Sequence, residues 1–527
     1  MKKTFFVFML IGAVVSAQTE QKSIELPDFV ITGKQSVEIP TAQKKKPELI
    51  STISEDFLLP QYSPDELPHL IYSQPLPVKP EIAASNYFDG SVKIGIGSYT
   101  YPEGNFHLSK SFGNYIVSAS AWGKNIKDYV PFSDYNTSGV SLNNILFVST
   151  KSDFLPGTQI GLYGEYSREA YKFYASAVPN YERKLQNGSG KFSVINNYNR
   201  WVDFGFDFGL TTLSFDESGL DEKIINSSVL FNFKTNGFVI GGKGNYDRQV
   251  LKNNLSGIGD YDFYSVEGFI KSSMTNNMIL KGGLYYAGNN STNFISPFAS
   301  MQYKIADGLT FSAEYNPRVE NITYRGMLNK NMYATPLFMD NIFKKVKADL
   351  NAGIKYEHYK FFSIALSSGY SKIDNYFYFT DFFLNGMYDI FTANNVGSFT
   401  TKLDLLFHPA ELGYFLGNVK YSSVKIDNDM YIPYEPKISS ELIYGYNFDF
   451  GLGLKMKFVY AKDIYTDLAN TSMLDDYQNL SFGVSYKIWE NLSLKADFQN
   501  ILNKTNFVLR GYEEKPFDII IGAEYRW

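Results

Sequence analysis

Side chains suited to acid–base work are scarce: the chain has four histidines and no cysteine. His69 lies in a proline-rich stretch, His107 in an early strand-like segment, and His358 and His408 beside short turns. Nucleophilic or general-base catalysis needs its reacting group within hydrogen-bond reach of a base, most often histidine. None of the four falls in a long loop, so an enzyme is not expected. Asp427 and Asp429, in KIDNDMY, offer the hard oxygens calcium takes, but the further ligands and central glycine of a calcium loop are missing. They read as a solvated acidic loop, and no cofactor or metal site is expected. Without cysteine there is no disulfide framework, thiolate metal site or lipidated cysteine. Lys and Arg number 49 against 54 Asp and Glu, a net charge of −5. That balance gives no basic excess of the kind nucleic acid selects.

The densest chemical feature is aromatic. Residues 374–391 read DNYFYFTDFFLNGMYDIF. Their rings, Tyr376, Tyr378, Phe382 and Tyr388 among them, could stack on a sugar or another flat ligand as an extracellular ligand loop. They could instead sit at headgroup depth as an interfacial girdle, the reading the sequence favours. Residues 319–343 are long enough to fold inward as a lid.

The segments that must position these loops are strands. Aromatics make up 17% of the chain, with 44 Phe and 41 Tyr, yet mean hydropathy is slightly polar at −0.21. That combination suits strands with one apolar and one wet face. In VDFGFDFGL, Val202, Phe204, Phe206, Phe208 and Leu210 share one face, while Asp203, Gly205, Asp207 and Gly209 share the other. Leu452, Leu454, Met456, Phe458 and Tyr460 repeat the pattern. Alternation of this kind runs from a strand near Ser91 to one near Phe517 and yields about 22 strands, within a range of roughly 18–22. Connections alternate too. Short turns such as KTNG at Lys234 and ADG at Ala306 face long loops such as 319–343 and 372–395. The expected fold is all-β, a transmembrane antiparallel β-barrel, because lipid satisfies no backbone group and a strand protein must close to span it. The loop asymmetry places both termini in the periplasm of a Gram-negative cell, with the barrel in the outer membrane.

The chain opens MKKTFFVFMLIGAVVSAQ, which has the form of a signal peptide over residues 1–17. Residues 18–85 form an irregular Pro-rich segment, expected to be periplasmic or to thread the lumen, and 86–527 form the barrel. In the last stretch, FDIIIGAEYRW, Phe517, Ile519, Ile521, Ala523, Tyr525 and Trp527 share a face. Asp518, Gly522, Glu524 and Arg526 share the other, with Ile520 as the exception. A terminal strand ending Tyr525-Arg526-Trp527 resembles the signal read by the barrel-assembly machinery.

The stretch 491–527 resembles the final two strands of TonB-dependent receptors. The matching elements are Asn491-Leu492-Ser493-Leu494, Asn500-Ile501-Leu502-Asn503, Arg510-Gly511-Tyr512, Pro516, Gly522, Tyr525 and Trp527. The resemblance implies a monomeric 22-stranded barrel in outer-membrane lipid that moves a solute. Asp28, Phe29, Val30, Ile31, Thr32 and Gly33 are similar to the short stretch ending in Thr-Gly near the mature N-terminus of such receptors, which implies a TonB-like periplasmic partner. The chain beyond Gly33 departs from that family: about sixty Pro-rich residues separate it from the first strand, where a plug domain takes well over a hundred. The expected function is therefore transport through a barrel whose N-terminal segment or loops partly occlude it. The alternative is a barrel that anchors a surface complex.

Overall fold

The structure, a computed structural model, describes residues 89–527 except 236, 254–259, 276, 336–341, 360, 409–412 and 427–428. Residues 1–17 and 18–85, Asp28 to Gly33 among the latter, lie outside the described residues. The rest forms one closed antiparallel barrel of 22 strands, running from Gly90–Gly97 to Asp518–Arg526. Each strand pairs with its sequence neighbours, and the first pairs with the last, Val92 opposite Tyr525 and Ile96 opposite Ile521. The thirteenth strand is broken into Leu309–Tyr315 and Arg318–Ile322, and both pieces pair with Ile342–His358.

Alternation sets the two faces. Ile94, Leu162, Val229, Ile295, Leu366 and Ile521 stand exposed on the outside, a surface that lipid solvates better than water. The lumen side carries ion pairs along the wall, such as Lys281–Glu267 at 2.8 Å, Lys402–Asp404 at 2.8 Å and Lys495–Glu524 at 2.7 Å. Alternation alone starts strands at Tyr115, Val202, Met278 and Leu309, and the structure starts them at the same residues. On the long-loop side alternation starts strands at Gly190, Asn105 and Gly139, whereas several of the observed strands begin earlier, at Glu182, Thr100 and Tyr135. These strands extend beyond the apolar band, where neither face must be greasy and the period-2 pattern is lost.

The two ends of the barrel meet on the short-turn rim. Gly90 N–H donates to Trp527 O at 3.2 Å and Trp527 N–H to Gly90 O at 3.1 Å. The indole stacks on Tyr525 with centroids 6.0 Å apart and lies 6.2 Å from Phe106. Gly90 is required there, since a Cβ would fall 2.3 Å from the Trp527 ring. Ile520, the apolar residue on the polar face of the last strand, is buried because Gly95 and Gly97 across the seam leave room for its side chain. At the other end of the seam Asp518 is fully buried. It accepts from Tyr99 N–H at 3.0 Å, Thr100 Oγ1 at 2.9 Å and Lys515 Nζ at 2.5 Å.

Removing one partner of a buried ion pair strands the other. Asp518→Ala is expected to cost about 3 kcal/mol, read as a lower denaturant midpoint of the barrel in detergent micelles; an unchanged midpoint would mean the seam closes without this pair. Deleting Trp527 should lower the amount of folded, heat-modifiable barrel recovered from membranes, with the unfolded chain still synthesised.

Candidate functional site

The long loops do not stand up from the rim; they meet across the mouth. The loop after the fifth strand, Gln159–Lys172, touches the loop after the fifteenth, Phe362–Asp374, through Ala177 N–H donating to Asn385 O at 2.8 Å. In a ring of 22 strands these two are ten strands apart, almost diametrically opposite. Both also meet the loop after the twenty-first strand, Leu492–Gln499. Tyr512 Oη donates to Gly386 O at 2.6 Å, Tyr388 Oη to Arg510 O at 3.2 Å, and Tyr174 Oη to Glu513 O at 2.6 Å. Gly386 has φ +76°, and a Cβ there would lie 2.3 Å from Ala175 O, so only glycine permits this approach.

These tyrosines act twice, by ring and by hydroxyl. Tyr333 and Tyr512 stack with centroids 3.7 Å apart, and Tyr174 meets Tyr512 edge-on at 5.0 Å. Burial is the main cause that lifts the pKa values of Tyr388 and Tyr512 above the ordinary phenol range, with Tyr434 and Asp381 respectively adding to it. Both hydroxyls therefore stay protonated and keep donating to their carbonyls.

Two charged side chains on the wall hold the remaining piece, the helix Tyr324–Lys330 that comes after the thirteenth strand. Seven residues are too few to be helical unaided. Thr323 caps it from within, accepting from Gly326 N–H at 3.1 Å. Glu222, reaching in from the eighth strand, accepts from Tyr324 N–H at 2.7 Å and Arg325 N–H at 3.2 Å. A carboxylate there satisfies two orphan donors and the helix dipole together. Gln249 donates to the same carboxylate at 2.5 Å. Arg183, from the sixth strand, donates to Ala334 O at 2.6 Å and Met332 O at 3.1 Å, while its guanidinium lies over Phe173 at 4.6 Å. Tyr324, Met327 and Leu328 then bury against Phe377, Phe379 and Tyr388 in one apolar cluster.

Against this cap lies a cavity of about 1080 Å³, lined by wall residues such as Trp122, Glu165 and Lys420 and by cap residues such as Tyr174, Arg325 and Tyr333. Acids, bases, amides and phenols alternate around it, an arrangement fit to hydrogen-bond a polar solute and to stack a flat one. Of the histidines, His107 meets Ser120 Oγ at 2.8 Å, and His358 packs among Tyr356, Tyr359 and Phe361. Among the described residues no histidine lines the cavity, and no group of three His, Cys, Asp or Glu could hold a metal ion. Asp427 lies outside the described residues, and Asp429 pairs with Lys425 at 3.1 Å.

The aromatic stretch 374–391 forms a hairpin, Tyr376–Thr380 with Asp389–Ala393, folded into the mouth. This corrects the girdle reading: Tyr376, Phe377, Phe379 and Tyr388 are buried against other protein elements, not set out in an interfacial belt. Tyr376 Oη donates to Glu435 at 2.6 Å. Tyr378 lines the cavity and stacks on Phe391, with centroids 5.9 Å apart. Phe382 is exposed at the tip with Phe383. Tyr525 and Trp527 sit at the seam, on the rim opposite the loops. Sequence reasoning misses Arg183, Glu222, Tyr174 and Tyr333. Glu222 leaves one signal, a carboxylate at the end of a strand where an apolar run would otherwise begin. Arg510-Gly511-Tyr512 is legible as a motif, but not as a bridge across the mouth.

No family model matches the sequence, and no curated protein matches it. Solved structures do. The FrpB iron transporter of Neisseria meningitidis superposes with a TM-score of 0.66 at 12% identity, over 84% of this chain and 82% of that one. The ferric-catecholate import receptor Fiu of E. coli K12 and the siderophore receptor PiuA of Acinetobacter baumannii each give a TM-score of 0.63 at 11% identity over the same shares. At such identities the likeness is one of fold, and the fold is the one the closing 491–527 motif implies.

Glu222→Ala leaves two buried helix N–H groups without their acceptor, a loss of about 1.5–3 kcal/mol. Trypsin cleavage after Arg325 and Lys330 should then rise by at least about tenfold while the barrel band persists. Tyr512→Phe, which keeps the ring stack, should have a smaller effect of about 1 kcal/mol. Equal cleavage in all three proteins would mean that packing alone holds the helix.

Proposed function

We propose that this chain is an outer-membrane transport barrel of a Gram-negative cell, moving a solute through its lumen as a monomer, with both termini periplasmic. The observation that carries this reading is the cap: loops from opposite sides of the ring meet over a polar cavity. A barrel that served only as an anchor has no need to close its mouth over a chambered lumen. A 22-stranded barrel with nothing inside would be a wide leak, and the loops, together with the N-terminal segment, are read as what narrows it. Of the aromatic loop, Tyr378 on the cavity and Phe382 at the exposed tip are the residues read as meeting solute, while Tyr376 and Tyr388 are buried supports within the cap. Asp28 to Gly33 are the segment for a TonB-like periplasmic protein. Barrel-assembly machinery would read the end at Tyr525 and Trp527. The fold neighbours, named as iron or siderophore proteins, make ferric complexes the first solutes to assay.

A second reading has one observation in its favour. Phe382, Phe383 and Leu384 are 66–71% exposed at the hairpin tip, held by Asp381 accepting from Asn385 and Gly386 N–H at 2.8 and 2.9 Å. A rigid apolar tip outside the barrel suits a scaffold that docks another surface protein.

In planar bilayers the purified protein should form small channels whose conductance rises when residues 18–85 are deleted. Further deletion of 376–393 should raise it again by opening the cap. Conductance unchanged by the first deletion would remove the N-terminal segment from the lumen, and no conductance in either variant would favour the scaffold.

A further inference from the structure

The lipid-facing side of the wall carries a constellation of its own, on the strands Phe362–Asp374, Val396–Phe407 and Tyr414–Lys425. Leu366, Leu403 and Val419 are exposed along the middle of these strands, which fixes the outward parity. Toward the loops the same face carries Tyr370, Phe399 and Tyr421, all exposed, with the Phe399 and Tyr421 rings 6.4 Å apart. Toward the short turns it carries Phe407, exposed as well. Phe399 and Phe407 are the two ends of one stretch of strand roughly 26 Å long at about 3.3 Å per residue. The face is therefore an apolar band between two aromatic girdles.

One outward position beyond the upper girdle stand Lys372, Gly397 and Lys425, in one register row: Lys372 opposite Gly397, and Gly397 opposite Lys425. The glycine leaves a notch between the two lysines. A Cβ at Gly397 would lie 3.7 Å from the Tyr370 hydroxyl, so a phenol O–H borders the same notch. Lys372 is exposed and meets no carboxylate among the described residues. Lys425 meets Asp429 at 3.1 Å, but that carboxylate is 90% exposed, and an exposed pair of this kind contributes little. Lys437 adds a further ammonium, 3.7 Å from the Tyr431 ring that Lys425 flanks at 4.8 Å. Above the row Asp374 is already engaged, by Lys347 at 2.7 Å and by Asn395 N–H at 2.9 Å.

Elsewhere on the wall the protein completes the same arrangement itself. Arg248 stands one outward position beyond the exposed Tyr246. There Asp260 and Asp262 meet the guanidinium at 2.6 and 3.6 Å, and Tyr246 Oη donates to Asp262 at 2.6 Å. Cation and phenol share one carboxylate. Around Gly397 the cations and the phenol recur, but among the described residues no carboxylate joins Lys372 to Tyr370.

We propose that the notch between Lys372 and Lys425 binds the phosphate headgroup of a membrane lipid in the leaflet on the loop side. Tyr370 Oη donates to the same phosphate, and the acyl chains lie along Leu366, Leu403 and Val419. A lysine ammonium is a compact charge on a flexible stem, so two of them can close on one phosphate from either side. A lipid suits the site better than a free anion because the notch sits just beyond an aromatic girdle, at headgroup depth, with an apolar wall running away from it. The inference rests on the barrel spanning a membrane and not on what its lumen carries.

The test uses the full-length folded protein, freed of lipid in a nonionic detergent and titrated with dioleoyl phosphatidic acid. Native mass spectrometry reads the Kd of the first bound lipid. Lys372→Gln/Lys425→Gln should raise that Kd at least about tenfold. Gly397→Val, which keeps both charges and fills the notch, should raise it comparably. Lys223→Gln/Lys252→Gln removes two exposed lysines from other strands of the wall and should leave it unchanged, with every variant still heat-modifiable. A Kd unaffected by the Lys372/Lys425 change or by Gly397→Val overturns the proposal. An equal loss in the Lys223/Lys252 variant also overturns it, since overall charge would then account for binding. Dioleoylglycerol, the same chains without phosphate, should not compete; if it does, the phosphate is not what the site reads. Displacement of the lipid by a large excess of inorganic phosphate would make this a free-anion site and likewise overturn the proposal. Channel conductance is read separately, so the transport reading stands or falls on its own measurement.

Discussion

Every backbone group in a lipid-facing strand must find its partner inside the protein, and this constraint governs the molecule from end to end. It forces the first strand to meet the last, and the seam between them shows what closure demands. Gly90 makes room for the Trp527 indole, Gly95 and Gly97 make room for Ile520, and Asp518 collects three donors at the loop end. These residues share no chemistry, yet each answers the same requirement: two edges, 419 residues apart where Tyr99 meets Asp518, must join without leaving an unpaired group.

Closure creates a second problem, since a ring this large encloses more space than the side chains of its own wall can fill. The loops answer it, and by means that differ from those of the wall. Strand pairing is backbone to backbone and indifferent to side-chain identity. The cap is joined by tyrosine hydroxyls donating to carbonyls and by rings meeting rings, as in Tyr174, Tyr388 and Tyr512. A phenol reaches farther than serine, contributes apolar area as well as one hydrogen bond, and loses little rotamer freedom on burial. That explains why a chain with so slightly polar a mean hydropathy still holds 41 tyrosines.

How much of this is legible in the sequence depends on the range of the interactions. Strands are legible because alternation is local: Val202 to Leu210 reveals its two faces without reference to any other segment. Strand starts are misplaced at Glu182 and Tyr135 because, above the apolar band, nothing local enforces alternation. The cap is not legible. Glu222 and Tyr324 are 102 residues apart, and Tyr388 and Arg510 are 122 apart. No periodicity couples positions that only a closed ring brings together. The stretch 374–391 is visibly aromatic, but whether its rings face lipid or one another depends on a fold no local pattern states.

The same logic orders the two kinds of polar residue in the lumen. Near the loop rim Glu222, Arg183 and Asp518 are each buried and each engaged with named partners, as expected where an unmatched charge would cost several kcal/mol. Toward the short-turn rim the charges are set in register: Lys281 and Lys402 stand directly opposite Lys271 and Lys420, an arrangement that costs a sheet some stability, and Glu267 and Asp404, each at 2.8 Å, supply carboxylates that offset it. At both rims these charges are held by partners on the protein itself, and the rims differ in how deeply those partners are buried.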